Sequence, residues 1–244
     1  MLFNRFNSKN NGFTLAEVLI TLGIIGVVAA MTLPTLIQNQ QKRSLEVATQ
    51  KFYSTMSQAV KKYMADVGVD DLRNTPIAGS SGETNEVLEK LFLNKYLKIV
   101  KKCKNTSECF ASQYRGWDGT GERGISENYD FGYGDTYILS DGSVIKIDSD
   151  ALIDIWVDVN GKKGPNRVGY DLWSMSLYYD GVIEESSIGP ECRGRIDSEY
   201  NNDVYKCEEK SAHEKREERF ENCKNGAYGG CFGHFLENNF KFDY

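Results

Sequence analysis

The sequence GFTLAEVLITLGIIGVVAAM, residues 12–31, is a long apolar run in which Glu17 is the only charged side chain. A carboxylate inside a membrane-spanning helix costs about 2.5–3.5 kcal/mol on insertion scales, so Glu17 needs a partner or a function. At about 1.5 Å per residue, Phe13–Met31 is just long enough to cross about 30 Å of hydrocarbon. The run therefore predicts a membrane-associated helix with an acidic residue near its start.

Two ordinary interpretations explain parts of this region. Arg5 and Lys9, followed by the apolar run, have the layout of a cleaved secretory signal with a small-residue cleavage site at 28–30. The run is long for that purpose, and it contains Glu17. A plain N-terminal membrane anchor fits the length but leaves Glu17 unexplained.

A third interpretation accounts for every unusual residue in this N-terminal region. The short basic leader, Gly12, Phe13 and then Glu17 four residues later resemble the processing and assembly signal of type IV pilins and type II secretion pseudopilins. Gly26 and Pro34 fall where that family usually has a glycine and a proline. The resemblance implies that a prepilin peptidase cuts after Gly12 and methylates the amine of Phe13. It also implies that Glu17 pairs with this amine on a neighbouring subunit.

The resemblance implies a structural filament subunit, a minor pilin or pseudopilin, and not an enzyme. Its partners would be other pilin or pseudopilin subunits, the prepilin peptidase and the inner-membrane assembly platform. Arg5 and Lys9 hold the leader in the cytoplasm, which predicts a single-pass inner-membrane protein with a periplasmic or extracellular head before assembly. Two alternatives stay open: an anchored extracytoplasmic binding protein that does not polymerise, and a DNA-uptake (competence) pilin.

Beyond the apolar run, the sequence predicts an α+β fold. From Gln38 the chain is polar but keeps a helical period up to Gly68, which predicts the second half of one long spine helix. The apolar stripe of this half consists of Leu45, Ala48, Phe52, Met56, Ala59, Val60, Tyr63 and Val67. Asp141-Gly142 and Asp180-Gly181 lie between apolar runs and predict hairpin turns. We expect the helix to pack on an antiparallel β-sheet head that carries a Cys-rich C-terminal extension.

The predicted organisation has five segments. They are a cleaved leader (1–12), a transmembrane or filament-core helix (13–37), the amphipathic half of the spine (38–68), an α+β head (69–190) and the Cys-rich extension (191–244). Within the head a second helix is expected over Glu86–Leu97 and a strand over Leu152–Val159, whereas residues 114–134 have no clear period. The charge-dense stretch 208–219 predicts a solvated helix.

The six cysteines, on a chain with an export signal, indicate disulfides and an oxidising compartment. Six cysteines allow 15 pairings. Nearest-neighbour pairing gives the expected set, which is Cys103–Cys109, Cys192–Cys207 and Cys223–Cys231.

One loop carries a candidate metal site. Residues 158–166, continuing to Asp171, resemble a D-x-N-G-x-x-G-P-N loop that recurs in pseudopilin-like proteins. Asp158, Asn160 and Asp171 offer oxygen ligands to a hard cation, and loop carbonyls could complete the six to eight oxygens that calcium takes. Major secretion pseudopilins bind calcium in a comparable loop. The spacing is not that of an EF-hand, and a hairpin held by Asx turns alone is the alternative.

Other chemistry has little support in the sequence. His213 and His234 are the only histidines, neither lies in a nucleophile motif, and no phosphate-binding loop occurs. Apart from calcium, no cofactor is expected. The net charge of −6 becomes −8 once Arg5 and Lys9 leave with the leader, which argues against nucleic-acid binding. A central aromatic cluster with Arg115 and Arg123 could still stack single-stranded DNA, or could belong to the core or to an inter-subunit surface. Its members are Tyr114, Trp117, Tyr129, Phe131, Tyr133 and Tyr137.

Overall fold

A computed structural model describes residues 12–78, 83–124, 134–149, 152–194, 210–227 and 229–244. The chain divides into two compact units, Met1–Arg43 and Ser44–Tyr244. A long N-terminal helix and a six-stranded antiparallel sheet confirm the predicted α+β class.

Helix α1 runs from Leu15 to Val67 and continues through Pro34. In the second unit its predicted apolar stripe is buried, apart from Ala48, which is half-buried, and Val67, which is exposed. Thr49 and Glu46 are buried as well, although polar residues at these positions were not predicted to be buried. The helix ends before Gly68, whose φ of +73° suits a glycine after a helix.

Short helices follow α1. The predicted second helix begins three residues earlier than expected and contains a π-helical stretch. The bounds are a 3₁₀ turn at Leu72–Asn74, α2 at Glu83–Leu88, the π-helical stretch at Glu89–Leu93, α3 at Asn94–Tyr96 and α4 at Thr106–Cys109.

In the described part of the chain, eight strands form two sheets. Their bounds are β1 Ile99–Lys102, β2 Gln113–Arg115, β3 Glu122–Gly124, β4 Asp135–Leu139, β5 Val144–Ser149, β6 Ile153–Asp158, β7 Leu172–Leu177 and β8 Ile183–Glu184. The large sheet has the order β1-β4-β5-β6-β7-β8, and β2 pairs with β3 in a separate hairpin. This hairpin lies in the stretch where the sequence showed no period. The predicted strand over Leu152–Val159 corresponds to β6.

Both predicted hairpin turns are present. Between β4 and β5, Asp141 Oδ1 accepts hydrogen bonds from the backbone N and the hydroxyl of Ser143. Between β7 and β8, Gly181 has φ +76°, and a Cβ there would lie 2.5 Å from the sulfur of Met64 on α1. Glycine at this turn therefore lets the sheet approach the helix closely.

The C-terminal extension packs onto the head. After a 3₁₀ turn at Pro190–Arg193 it contains α5, Ala212–Lys224, and α6, Phe232–Glu237. Phe220 and Cys223 on α5 are buried, so the predicted charged helix is solvated on one face only. Phe235 of α6 stacks on Trp173 of β7 at 4.5 Å. The end of the chain reaches α1, where Glu46 accepts hydrogen bonds from Phe242 N and Lys241 Nζ.

Glu185, directly after β8, holds the start of α6. Its fully buried carboxylate accepts hydrogen bonds from the backbone N of Gly230, Phe232 and Gly233 at 2.9–3.1 Å. Arg219 Nη2 lies 3.8 Å from the same carboxylate. One side chain thus satisfies three backbone donors that lie more than forty residues further along the chain.

Replacing Glu185 by alanine should destabilise the protein by about 3–5 kcal/mol, because each buried donor left without an acceptor costs about 1–3 kcal/mol and Arg219 loses its counter-charge. Chemical unfolding of the full chain in detergent, followed by tryptophan fluorescence, measures this loss. Glu221→Ala is the matched control, because Glu221 is exposed and pairs only locally with Lys224. A loss below about 1 kcal/mol for Glu185→Ala would show that this contact does not anchor the extension.

Candidate functional site

The start of α1 carries a reciprocal cap. Glu17 N donates to Thr14 Oγ1 at 3.3 Å, and Glu17 Oε2 accepts from Thr14 N at 2.8 Å and Thr14 Oγ1 at 2.7 Å. This is a capping box, in which Thr14 is the N-cap residue and Glu17 is the third residue of the helix. Glu17 therefore has a partner within its own chain.

This capping role of Glu17 was not among the roles predicted from sequence. The pattern Thr14-Leu15-Ala16-Glu17 is the T-x-x-E signature of a capping box, and it stood in the quoted sequence. The cap and the expected pairing of Glu17 with an amine on a neighbouring subunit make different demands on this side chain. The cap needs an acceptor oxygen, whereas the ion pair needs a negative charge.

The first part of α1 exposes a continuous apolar surface. Among the described residues, α1 is the one helix long and apolar enough to cross a membrane. Large side chains from Phe13 to Ile37 are exposed, including Leu15 at 80% and Met31 at 74%. A Cβ added at Gly26 would meet nothing within 4 Å. This surface suits lipid or other helices.

The second candidate site is a pair of fully buried carboxyl groups. Asp158 ends β6, Asp171 immediately precedes β7, and Val159 N donates to Asp171 O at 3.0 Å. Burial and the neighbouring Asp171 carboxylate raise the pKa of Asp158 to about 8. Burial raises the pKa of Asp171 to about 6. The two carboxyl groups therefore favour a bound proton or a bound cation between them.

The β6–β7 loop folds around this pair. Asp171 accepts from Asn166 N at 2.7 Å and from Arg167 N at 2.6 Å. Asp158 accepts from Asn160 N at 3.1 Å and from the hydroxyl of Tyr114 on β2. The bond between Asp158 and Asn160 N is an Asx turn of the kind that the alternative interpretation expects, whereas the other three bonds join the carboxylates to more distant parts of the chain.

Two amide oxygens of the loop are buried without a partner. Asn160 Oδ1 and Asn166 Oδ1 accept no hydrogen bond from the described residues, while Asn160 Nδ2 donates to Gly164 O at 3.2 Å. A buried acceptor without a donor is costly unless an ion or water occupies it. Carboxylate and amide oxygens are the hard donors that calcium prefers. Asn166 was not among the residues predicted from sequence.

The aromatic cluster does not form an exposed stacking face in the part of the chain that the structure describes. Tyr114 and Tyr137 are 1% exposed, and Trp117 packs edge-on against Phe220 at 5.8 Å. Tyr129, Phe131 and Tyr133 lie outside the described residues. Tyr114, Tyr137 and Trp117 therefore belong to the core and its edge, as the second interpretation of the cluster expected.

Disulfides join Cys103 to Cys109 and Cys223 to Cys231, as in two of the three expected pairs. Cys192 is also disulfide-bonded. Its expected partner, Cys207, lies outside the described residues.

Comparisons with known proteins agree with this N-terminal architecture. Residues 7–33 match the prokaryotic N-terminal methylation motif. The type IV major pilin protein PilA of Myxococcus xanthus (strain DK1622) is 45% identical over 42 residues, which cover 17% of this chain and 19% of that protein. The matched stretch thus spans about a fifth of the relative. At its N-terminus the chain is therefore similar to type IV pilins.

A second match covers the rest of α1 and most of the head. Residues 35–174, more than half of the chain, match a family of unknown function, DUF6613. The chain belongs to this family. No solved structure matches the chain.

Proposed function

We propose that this chain is a minor pilin or pseudopilin, a structural subunit of a type IV pilus-like or type II secretion filament. The observation that carries the proposal is the N-terminal methylation motif on a helix whose apolar side chains are exposed between Phe13 and Ile37. In the bilayer this surface contacts lipid before assembly. In the filament the same surface packs against copies of itself or related subunits, and close packing replaces contacts with lipid.

In this proposal a prepilin peptidase removes residues 1–12 and methylates the amine of Phe13. Arg5 and Lys9 keep the leader cytoplasmic, so that residues 44–244 lie outside the inner membrane. Gly26 supports the proposal, because a glycine inside a helix costs about 0.5–1 kcal/mol relative to alanine, and a Cβ here would meet nothing within 4 Å among the described residues. It allows the backbone of a neighbouring helix to approach closely.

The intact mass and N-terminal peptide of the chain, isolated from its native membrane, test the processing step. We expect a chain that begins at N-methylated Phe13, and we expect Gly12→Asp to leave the leader attached, because the cleavage site is destroyed. Ala227→Asp, a change at an exposed position of the extension, is the control and should not alter the N-terminus. An uncut leader on the wild-type chain would favour a permanent anchor. A chain beginning near Met31 would indicate a secreted protein that does not polymerise.

A second proposed function is calcium binding by the β6–β7 loop. Asp158, Asn160, Asn166 and Asp171 would hold the ion, and loop carbonyls would supply further oxygens. The partnerless oxygens of Asn160 and Asn166 beside two buried carboxyl groups favour this function. The ion would offset the negative charge of the pair and stabilise the loop between β6 and β7. Unfolding with and without calcium, described below, tests it.

A further inference from the structure

Both histidines of the chain lie in one side-chain cluster on the C-terminal extension. His213 and Glu217 are four residues apart on α5, so they share one face of the helix. Glu237, the last residue of α6, faces them. One ligand atom each from His213, Glu217 and Glu237 lie within 4.8 Å of one another.

The distances within this cluster suit a metal ion. His213 Nδ1 lies 3.0 Å from each carboxylate oxygen of Glu237. Zinc–nitrogen and zinc–oxygen bonds of about 2.0–2.2 Å in a tetrahedral site separate neighbouring ligand atoms by about 3.4 Å. An ion between His213 and Glu237 therefore needs these two side chains to move apart by about 0.4 Å, and Glu217, whose ligand atom lies within 4.8 Å of the others, completes the site by moving towards the ion by up to about 1.4 Å. All three side chains reach solvent, with exposed fractions of 66% for His213, 46% for Glu217 and 32% for Glu237.

His234 positions one of these ligands. Its Nδ1 lies 3.1 Å from Glu217 Oε1, and its Nε2 lies 3.1 Å from the carboxylate of Asp243. The imidazole stacks on Phe220 at 3.8 Å with an interplanar angle of 2°. A hydrogen bond from a fixed second residue orients a ligating carboxylate and typically changes metal affinity by about 10–100-fold. His234 is thus a positioning residue for Glu217.

The two helices that carry the cluster are fixed to each other and to the sheet. The Cys223–Cys231 disulfide joins the end of α5 to the N-cap of α6, and Glu185 holds the start of α6. Arg216 is the competing cation, because its Nη1 lies 3.5 Å from Glu237 Oε1. Its Nη2 is held at 2.5 Å by Glu184, and a 3.5 Å contact is too long for a strong hydrogen bond. Glu237 therefore remains able to bind an ion.

We propose that His213, Glu217 and Glu237 bind a divalent transition metal ion of the zinc class, with His234 orienting Glu217. One imidazole and two carboxylates are ligands that zinc accepts, and three protein ligands on an exposed surface leave a coordination position open to water or another donor. The site is separate from the β6–β7 loop, whose donors are oxygens only. It does not depend on the proposed filament function.

The test is zinc binding to the oxidised full chain in detergent, measured by elemental analysis after dialysis and by titration against a competing chelator. We expect one zinc ion per chain for the wild type. We expect His213→Ala and Glu237→Gln each to weaken binding at least about tenfold, and His234→Ala to weaken it less. Cobalt should give a visible absorption spectrum of four- or five-coordinate metal that disappears in His213→Ala.

Two controls separate binding from folding. Glu221→Gln changes an exposed carboxylate on α5 outside the cluster and should leave zinc affinity unchanged. Asp158→Asn should also leave it unchanged, because Asp158 belongs to the other candidate site. Thermal unfolding without metal should be the same for His213→Ala and the wild type. A wild type that retains no zinc, or a His213→Ala, Glu237→Gln double variant that binds zinc like the wild type, would overturn the assignment.

Discussion

Glu17→Val should abolish filament assembly while leaving the chain in the membrane. Valine removes both properties of Glu17, the negative charge and the acceptor oxygen that caps α1. If assembly uses an ion pair with the N-terminal amine of a neighbouring subunit, the amine left unpaired in this variant would cost about 2.5–3.5 kcal/mol in lipid. Filaments released by shearing, measured against the membrane-bound pool in cells that carry the partner subunits, give the readout.

Two matched variants separate the charge from the cap. Glu17→Gln keeps an acceptor at the third helical position, where glutamine also completes a capping box, but removes the charge. Thr14→Val removes the cap, at a cost of about 1 kcal/mol, and leaves the carboxylate. The ion-pair hypothesis predicts that Glu17→Gln fails to assemble and Thr14→Val assembles. The opposite pattern would assign Glu17 to the cap, and normal filaments from Glu17→Val would contradict the filament role of this residue.

The amphipathic half of α1 and the two hairpin turns could be predicted from sequence, because each is encoded by residues that lie close together in the chain. The stripe on α1 follows from side chains three and four residues apart, and both hairpin turns follow from Asp-Gly pairs that favour positive φ. The β2–β3 hairpin escaped prediction because its strands have three residues each, too short for alternation to show. Its turn depends on Gly116 N donating to Thr120 O and on the Asx contact of Asp118 with Thr120.

The candidate sites depend on contacts that sequence spacing does not contain. Asp158 and Asp171 could be predicted because one recognisable loop contains both. Tyr114, the hydrogen-bond partner of Asp158, lies 44 residues away in sequence. His213 and Glu237 are 24 residues apart and meet only because α5 and α6 pack together. The docking of the extension through Glu185 could not be predicted either. A glutamate is expected to be exposed to solvent, whereas this one is buried and accepts hydrogen bonds from the start of α6.

In calcium-free buffer the buried carboxyl pair should make the protein less stable as the pH rises from about 4 to about 8. The folded-state pKa of Asp158 is raised to about 8 from an ordinary value of 3.8, so the folded state holds a proton that the unfolded state releases. The stabilisation is complete below about pH 4 and is lost as the pH rises through the folded pKa, at up to about 1.4 kcal/mol per pH unit. Asp158→Asn removes this titration. The difference in the free energy of unfolding between the wild type and this variant, measured as a function of pH, therefore isolates the contribution of Asp158.

Calcium should reverse the loss at pH 8, because a bound cation offsets the negative charge that Asp158 gains when it releases its proton. An ion present at about 100 times its dissociation constant adds about 2.7 kcal/mol to the wild type. Asp158→Asn should gain much less, and magnesium should be a poorer substitute because it requires a smaller octahedral shell. Asp141→Asn, in the β4–β5 turn, is the control and should respond to calcium like the wild type. Equal gains for the wild type and Asp158→Asn would exclude the loop as the calcium site, and a pH effect without a calcium effect would leave a proton as the occupant of the pair.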